Sequence, residues 1–195
     1  MVIPHPERPA DASPSPWVAH FISGAAPRLR VLDIACGTGR HVRLALQHGL
    51  AVTAIDRDIS RLGALAGYEH VDAIEADLES GAPFPLAGRQ FGAVIVTNYL
   101  WRPILADICA AVAPSGLLIY ETFARGHELL GGRPSNPEFL LKPNELAEAA
   151  MAVGLVVIAF EQVREEAPRP RIVQRIAAVG PAHTWVAAPP ARFTD

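Results

Sequence analysis

The chain has 195 residues, which is enough for one well-buried α/β domain and short for two. Half of the residues are hydrophobic, 19% are charged and the formal net charge is -3, which argues against a disordered chain and against a protein that coats nucleic acid. Lys142 is the only lysine and the arginines are scattered, so we do not expect binding to a phosphate backbone.

The composition divides the chain into three parts. Residues 1–16 are rich in proline and poor in apolar residues, so we expect an extended or disordered arm. Apolar residues at helical spacing from Trp17 onward predict a short helix that ends at Gly24, and a folded domain should cover residues 17–180. The remainder, 181–195, is rich in proline and alanine and is expected to be a poorly ordered tail.

From Arg30 onward, apolar runs alternate with helical patterns, which favours a mostly parallel sheet with helices on both faces. The connection from Arg164 to Pro170 is too short for a crossover helix, so the last two strands should form an antiparallel hairpin. We predict an α/β, Rossmann-like, doubly wound sheet of seven strands. The predicted strands lie near 30–35, 51–56, 71–76, 91–97, 116–122, 154–162 and 171–179, and the predicted helices at 40–48, 58–66, 102–113 and 143–153.

A turn of small residues follows the first strand and precedes a helix. Asp33 ends the apolar run, Gly37 and Gly39 let the backbone turn sharply, and the helix after Arg40 directs its positive N-terminus at the turn. The segment therefore suits a polar or anionic ligand. The dinucleotide fingerprint needs a third glycine where this chain has Val42, which weakens a dinucleotide interpretation.

The pattern Asp33-x-Ala35-x-Gly37-x-Gly39 resembles the first motif of class I S-adenosylmethionine (SAM)-dependent methyltransferases. In that family the turn cradles the methionine part of SAM, and the position of Ala35 is often glycine. The resemblance implies the same seven-stranded fold over about residues 17–180, with SAM as the cofactor.

Three further strand ends carry polar residues in the order that the resemblance implies. Asp56, followed by Arg57, would accept hydrogen bonds from the ribose hydroxyls; Asp77 and the Leu78 amide would bind adenine. Asn98 would lie beside the sulfonium. For each acid alone, a solvated strand end or a helix cap is an equally good interpretation.

The candidates for acceptor binding lie after the fourth strand and in the long connection from Phe123 to Lys142. Trp101 could wall an acceptor pocket, although aromatic residues at such turns are more often part of the core. Arg102 and Arg133 could clamp a carboxylate or phosphate, or could instead pair with Glu or Asp side chains. Asn136 is a polar candidate in the same connection, which we interpret as a substrate lid, with a passive loop as the alternative.

Methyl transfer from a sulfonium does not require a dedicated base, because the cofactor carries the reactivity. If a base or an acceptor-orienting group exists, we expect Glu121, which ends a central strand, with Tyr99 as a second candidate. The histidines show no metal-ligand spacing, so no metal is expected.

The sequence therefore predicts a cytoplasmic SAM-dependent methyltransferase with a small-molecule acceptor, loosely similar to tellurite-resistance-type methyltransferases. The cytoplasm is expected because two cysteines give no disulfide framework and no apolar run is long enough to cross a membrane, for which about 20 residues are needed. The alternatives are an RNA or protein methyltransferase, an NAD(P)-dependent oxidoreductase and a SAM-binding module without catalysis.

Overall fold

The computed structural model describes residues 13–166 and 169–194, so most of the predicted arm lies outside the described residues. Seven strands form one sheet. In chain order they are β1 Val31–Ile34, β2 Val52–Asp56, β3 Val71–Glu75, β4 Phe91–Thr97, β5 Val112–Phe123, β6 Val156–Glu165 and β7 Arg171–Val179.

The strand order is β3-β2-β1-β4-β5-β7-β6. The first five strands run parallel, and β7 is antiparallel to both of its neighbours, β5 and β6. This confirms the predicted doubly wound sheet with an antiparallel C-terminal hairpin. Because parallel strands end at the same edge, the turns after β1, β2, β3, β4 and β5 meet at one carboxyl edge, where ligands bind in open α/β sheets.

In the part of the chain that the structure describes, four α-helices cover the two faces of the sheet. They are α1 Pro16–Phe21, α2 Arg40–Gln47, α3 Leu105–Ala110 and α4 Glu145–Ala152. Buried residues of α1 and α2 share one hydrophobic cluster with Val31 of β1, while α3 and α4 share the other cluster with Leu32 of the same strand. The alternation of side chains along β1 therefore supplies both cores. Among the described residues, every helix falls short of the length and apolarity needed to span a bilayer.

Two predicted helices differ from the structure. The predicted helix at 102–113 is only a 3₁₀ turn at Arg102–Ile104 followed by α3, because β5 already begins at Val112 and pairs with Phe91. The predicted helix at 58–66 is a 3₁₀ segment, Ile59–Gly67, interrupted at Gly63 by a non-helical backbone with φ 56°. A residue with that φ cannot continue a right-handed helix.

The tail at 181–194 is packed against α1, whereas the sequence predicted poor order. The Phe193 ring lies 5.0 Å from the Trp17 ring, and the His183 ring hydrogen-bonds to the Gly24 carbonyl at 2.8 Å. Gly24 also has no space for a side chain, because a Cβ there would lie 2.3 Å from the Trp185 ring. Aromatic side chains thus fix a segment whose proline content indicated disorder.

Candidate functional site

The turn after β1 has three residues in the left-handed backbone region. Ala35, Gly37 and Gly39 have φ values of 52°, 56° and 76°. Gly39 is packed, since a Cβ there would lie 2.8 Å from Leu62 and from Leu65, whereas a Cβ on Gly37 would have no neighbour within 4 Å. The turn is therefore closed on the side of the 3₁₀ segment and open at Gly37, where a ligand can approach the backbone.

The Asp56 carboxylate is fixed by two backbone amides. Gly37 N–H donates to Oδ2 at 2.8 Å, and Asp58 N–H donates to Oδ1 at 3.1 Å. The side chain is 9% exposed, and each oxygen retains a lone pair for a further donor. The structure thus places Asp56 beside the glycine turn with an orientation that a pair of hydroxyl donors could use.

The turn after β3 holds the next predicted residues. Asp77 is exposed and its Oδ1 accepts a hydrogen bond from Glu79 N–H at 2.9 Å, while the Leu78 side chain is buried. Burial and the charge of Asp77 raise the pKa of Glu79, and the exposed Arg57 opposes this shift. Arg57, Asp77 and Glu79 therefore lie in one charged group at the carboxyl edge.

The buried side-chain nitrogen and oxygen atoms that lack a hydrogen-bond partner are gathered at one place in the described part of the chain. All of them lie at or next to the carboxyl ends of β1, β4 and β5: Asp33 Oδ2, both amide atoms of Asn98, the Tyr99 hydroxyl and Glu121 Oε2. A buried polar atom without a partner costs about 1 to 3 kcal/mol. Glu121 Oε2 lies 3.9 Å from the Arg175 guanidinium, so its charge has a partner even without a hydrogen bond. The concentration of the other atoms beside the open glycine turn marks this edge as a ligand site.

Asp33 is the most perturbed acid of the site. It is 1% exposed, and burial raises its pKa to about 7; Arg40 and the Val42 N–H oppose the shift, and Asp56 adds to it. The same burial, with Asp33 and Asp56, raises the pKa of the Cys36 thiol, so Cys36 is an unreactive filler of the turn. The described residues contain no group of His, Cys, Asp or Glu arranged to hold a metal ion.

Tyr99 follows Asn98, whose φ of 54° turns the chain sharply after β4. The Tyr99 carbonyl accepts a 2.9 Å hydrogen bond from the Tyr120 hydroxyl. Burial raises the pKa of the Tyr99 hydroxyl, and the charges of Glu79, Asp77 and Asp56 raise it further. The hydroxyl is therefore close enough to interact electrostatically with Asp56 and Asp77, the acids predicted to bind the ribose and the adenine. A role for Tyr99 need not be limited to the acceptor.

Arg102 is bound within the protein. Its guanidinium donates to both carboxylate oxygens of Glu145, at 2.6 Å and 2.9 Å, and to the carbonyls of Glu138 and Leu140 at 2.5 Å and 2.8 Å. These contacts favour the alternative in which Arg102 anchors the connection at 123–142, which we call the acceptor loop, to the start of α4. They leave little donor capacity for an anionic ligand.

The other acceptor candidates are distributed along the same edge. Trp101 is half-buried and packs against the core on the side of α3 and α4. Arg133 is exposed, and its carbonyl lies 3.2 Å from Nε2 of the buried His127. The Asn136 side chain accepts a hydrogen bond from Glu138 N–H at 3.0 Å and so begins a short 3₁₀ turn.

Glu121 faces β7. Its Oε1 lies 3.6 Å from Arg171 and its Oε2 lies 3.9 Å from Arg175, and the residue is 1% exposed. The Ser15 hydroxyl donates to Oε1 at 3.3 Å. This environment compensates the charge of a buried carboxylate but gives an acceptor little access to it, so it favours a positioning role over that of a general base.

Sequence reasoning missed Ser15, Arg40 and Thr97. Arg40 bridges the Ser13 carbonyl at 3.2 Å and Thr97 Oγ1 at 3.1 Å, and so joins α2 to the end of β4. Its position in the first turn after the glycine motif was a usable signal. Ser15 was recognisable only as a potential helix cap, because its partner Glu121 lies 106 residues further along the chain.

Comparison with known proteins identifies what this arrangement resembles. Residues 31–116 match the family model described as a methyltransferase domain. The chain is 27% identical over 165 residues to the demethylmenaquinone methyltransferase of Renibacterium salmoninarum, a match that covers 80% of this chain and 68% of that protein.

Solved structures share the fold. The glycopeptide N-methyltransferase MtfA, in complex with S-adenosylhomocysteine (SAH), matches with a TM-score of 0.58 at 17% identity and covers 88% of this chain and 91% of its own. TehB from Haemophilus influenzae matches with a TM-score of 0.65 at 15% identity, over 83% of this chain and 61% of its own.

Proposed function

We propose that this chain, a class I SAM-dependent methyltransferase by its matched domain and its fold, transfers the methyl group of SAM to a small-molecule acceptor. The observation that carries the proposal is the gathering of unpartnered buried polar atoms beside the open side of the glycine turn. A polar ligand would give partners to the unpaired atoms of Asp33, Asn98 and Tyr99, and the turn leaves room for one.

The residues present fit SAM. The turn at Gly37 would hold the methionine part, and the preoriented carboxylate of Asp56 would accept from the ribose hydroxyls. Asp77 and the Leu78 amide would bind adenine. Asn98 has a buried amide whose nitrogen and oxygen both lack a partner, which fits a polar position beside the sulfonium. SAM supplies an electrophilic methyl group on a positively charged sulfur.

The protein contributes alignment and exclusion of water. An in-line displacement needs the acceptor atom held close to the methyl group and behind it, which positioned side chains can provide without a base. Trp101 is the candidate for a wall of that pocket, and the acceptor loop for its cover. Arg133 and Asn136 remain the loop residues proposed to contact an acceptor.

Two observations support a small acceptor. The net charge of -3 and the acids around the site do not suit a nucleic-acid backbone. The relative from Renibacterium salmoninarum is named for demethylmenaquinone, and MtfA is named for glycopeptides. An RNA or protein acceptor remains the rival within the same enzyme class, and a continuous basic surface at the site would favour it.

A reducing compartment suits the two cysteines, which are both buried and free. We therefore keep the cytoplasm as the proposed location. Fractionation of the producing cell, with an antibody against this chain, tests it directly.

The experiment that tests the proposed function is calorimetric titration with SAM, SAH and NADH, without acceptor and at moderate salt. We expect micromolar binding of SAM and SAH and none of NADH. Transfer of a radiolabelled methyl group from SAM to pooled small molecules, against transfer to RNA and to protein, then separates the acceptor classes. Binding of NADH alone would refute the methyltransferase assignment, and label in RNA or protein alone would refute the small acceptor.

A further inference from the structure

A set of hydrogen bonds ties the segment before α1 to the carboxyl edge. Ser15 N–H donates to His41 Nε2 at 3.1 Å, the Ser15 hydroxyl donates to Glu121 Oε1 at 3.3 Å, and the Ser13 carbonyl accepts from Arg40 at 3.2 Å. Both bonds of Ser15 are buried. We call residues 13–15 the N-terminal strap.

The strap is joined to the glycine turn through α2. Arg40 and His41 are the first two residues of that helix and follow Gly39 directly. Arg40 also binds Thr97 at the end of β4. Since Ser15 donates to Nε2 of His41, that nitrogen carries no proton and acts as an acceptor. A movement of the glycine turn that shifts the start of α2 would therefore also shift the strap, through the hydrogen bonds of Arg40 and His41.

The strap is joined to β5 through Glu121. Thr97, Glu121, Arg175 and Glu161 are partners across neighbouring strands and form one row on the face covered by α1. Arg175 hydrogen-bonds to Glu161 and Glu165 at 2.8 Å and 2.9 Å, whereas its distance to Glu121 is 3.9 Å. The Ser15 hydroxyl is thus the hydrogen-bond donor that the described structure gives Glu121.

A purely local role does not account for the Ser15 side chain. The side-chain oxygen of a serine that precedes a helix normally accepts a hydrogen bond from a backbone N–H of the first turn. That N–H would otherwise have no partner within the helix. Ser15 makes no such side-chain cap in α1. Its hydroxyl is used instead for a contact with a residue at the end of a central strand.

We propose that Ser15 is a positioning residue that couples Glu121 to the helix after the glycine turn, so that cofactor binding at the turn orders the N-terminal strap over the strand ends. The inference rests on the proposed function, because it requires a SAM site at the turn. It assigns Glu121 to the same coupling, rather than to proton transfer with the acceptor.

The test is hydrogen–deuterium exchange of the full chain with and without SAH, followed in peptides that cover residues 13–22. In the wild type, SAH should slow exchange of these amides at least about threefold, because the strap is held more firmly. Ser15→Ala removes the hydroxyl but keeps the backbone bond to His41. In this variant SAH should slow exchange of these amides much less than in the wild type. Calorimetry should show that the affinity for SAH is about threefold to tenfold lower.

Ser115→Ala is the matched control, since Ser115 is an exposed serine in β5 away from the strap, and it should behave as the wild type. Exchange in β1 and β4 shows whether each variant is folded. Two results would overturn the coupling alone. One is SAH binding to the wild type without a change of exchange at 13–22; the other is an equal slowing of exchange in the wild type and in Ser15→Ala. A wild type that does not bind SAH would overturn both the coupling and the proposed function.

Discussion

The backbone N–H of Gly37 donates a 2.8 Å hydrogen bond to Oδ2 of Asp56, so the glycine turn after β1 and the acid that ends β2 form a single unit. In the sequence these are two separate motifs with separate predicted roles. In the fold, the carboxylate that would bind the ribose also supports the turn that would hold the methionine part. Loss of Asp56 should therefore affect both ends of the cofactor.

We expect Asp56→Ala to weaken SAH binding by about 1 to 3 kcal/mol, because a charged acceptor is lost and the turn loses a support. Calorimetry with SAH measures this directly. Asp107→Ala is the control, since Asp107 is an exposed acid on α3. Equal affinity of the wild type and Asp56→Ala would refute the ribose assignment.

Asp33 should make the stability of the protein depend on pH. Its folded pKa of about 7 lies above the ordinary 3.8, so well below pH 3.8 the acid is protonated in both states and has no effect. As the pH rises towards 7, the unfolded chain loses this proton more readily, and the free energy of unfolding falls.

Asp33→Asn imitates the protonated acid and should abolish that fall. At pH 8 the variant should be more stable than the wild type by up to a few kcal/mol, with the difference shrinking towards pH 4. Urea unfolding at pH 4, 6 and 8 measures it. A variant that is less stable at every pH would mean that the attraction between Asp33 and Arg40 outweighs the cost of burial.

Ala35 is a left-handed residue at a position where the motif often has glycine. An L-residue in that region costs about 1 to 2 kcal/mol, which exceeds the gain from the less flexible unfolded chain. We expect Ala35→Gly to raise the free energy of unfolding by about 0.5 to 1 kcal/mol in thermal or urea denaturation. Ala73→Gly, in the regular strand β3, should lower it. Destabilisation by both substitutions would show that the Ala35 methyl packs favourably.

Arg102 should act on stability rather than on acceptor affinity. Burial alone would raise the pKa of Glu145, but the hydrogen bonds from Arg102 and from the Lys142 amide lower it. Arg102→Gln should therefore reduce the free energy of unfolding by about 1 to 3 kcal/mol and expose the acceptor loop to limited proteolysis.

Arg133→Gln is the companion variant, because Arg133 is exposed in the same loop and should leave both stability and proteolysis unchanged. If Arg102→Gln kept its stability and raised only the KM of an identified acceptor, the anchoring role would be wrong and the clamp on an anionic acceptor would be supported.

The fold could be predicted largely because its strands are short apolar runs that end at polar or turn-forming residues. Asp33, Asp56 and Asn98 each fall at the end of such a run, and the structure places all three at one edge. The predicted helix at 102–113 ran too far because the apolar residues of α3 continue without a break into Val112, where strand pairing takes over. The spacing of apolar residues along the sequence does not reveal this change from helix to strand.

The partners of charged side chains could not be predicted, because they come from distant parts of the chain. Arg102 was expected to bind either a ligand or an acid, and only the fold brings Glu145 to it. Glu121 was expected to face the acceptor, yet its neighbours come from β7 and from the segment before α1. The order of the tail likewise depends on Trp17, which is far away in sequence.

The place of β7 has a consequence for the synthesis of the protein on the ribosome. This strand is the last of the seven to be made, yet it lies inside the sheet and separates β5 from β6. Until Arg171–Val179 have emerged, β5 lacks a partner on one side and β6 has none. The nascent chain therefore presents open strand edges late in translation, at a stage when pairing with other chains competes with completion of the sheet.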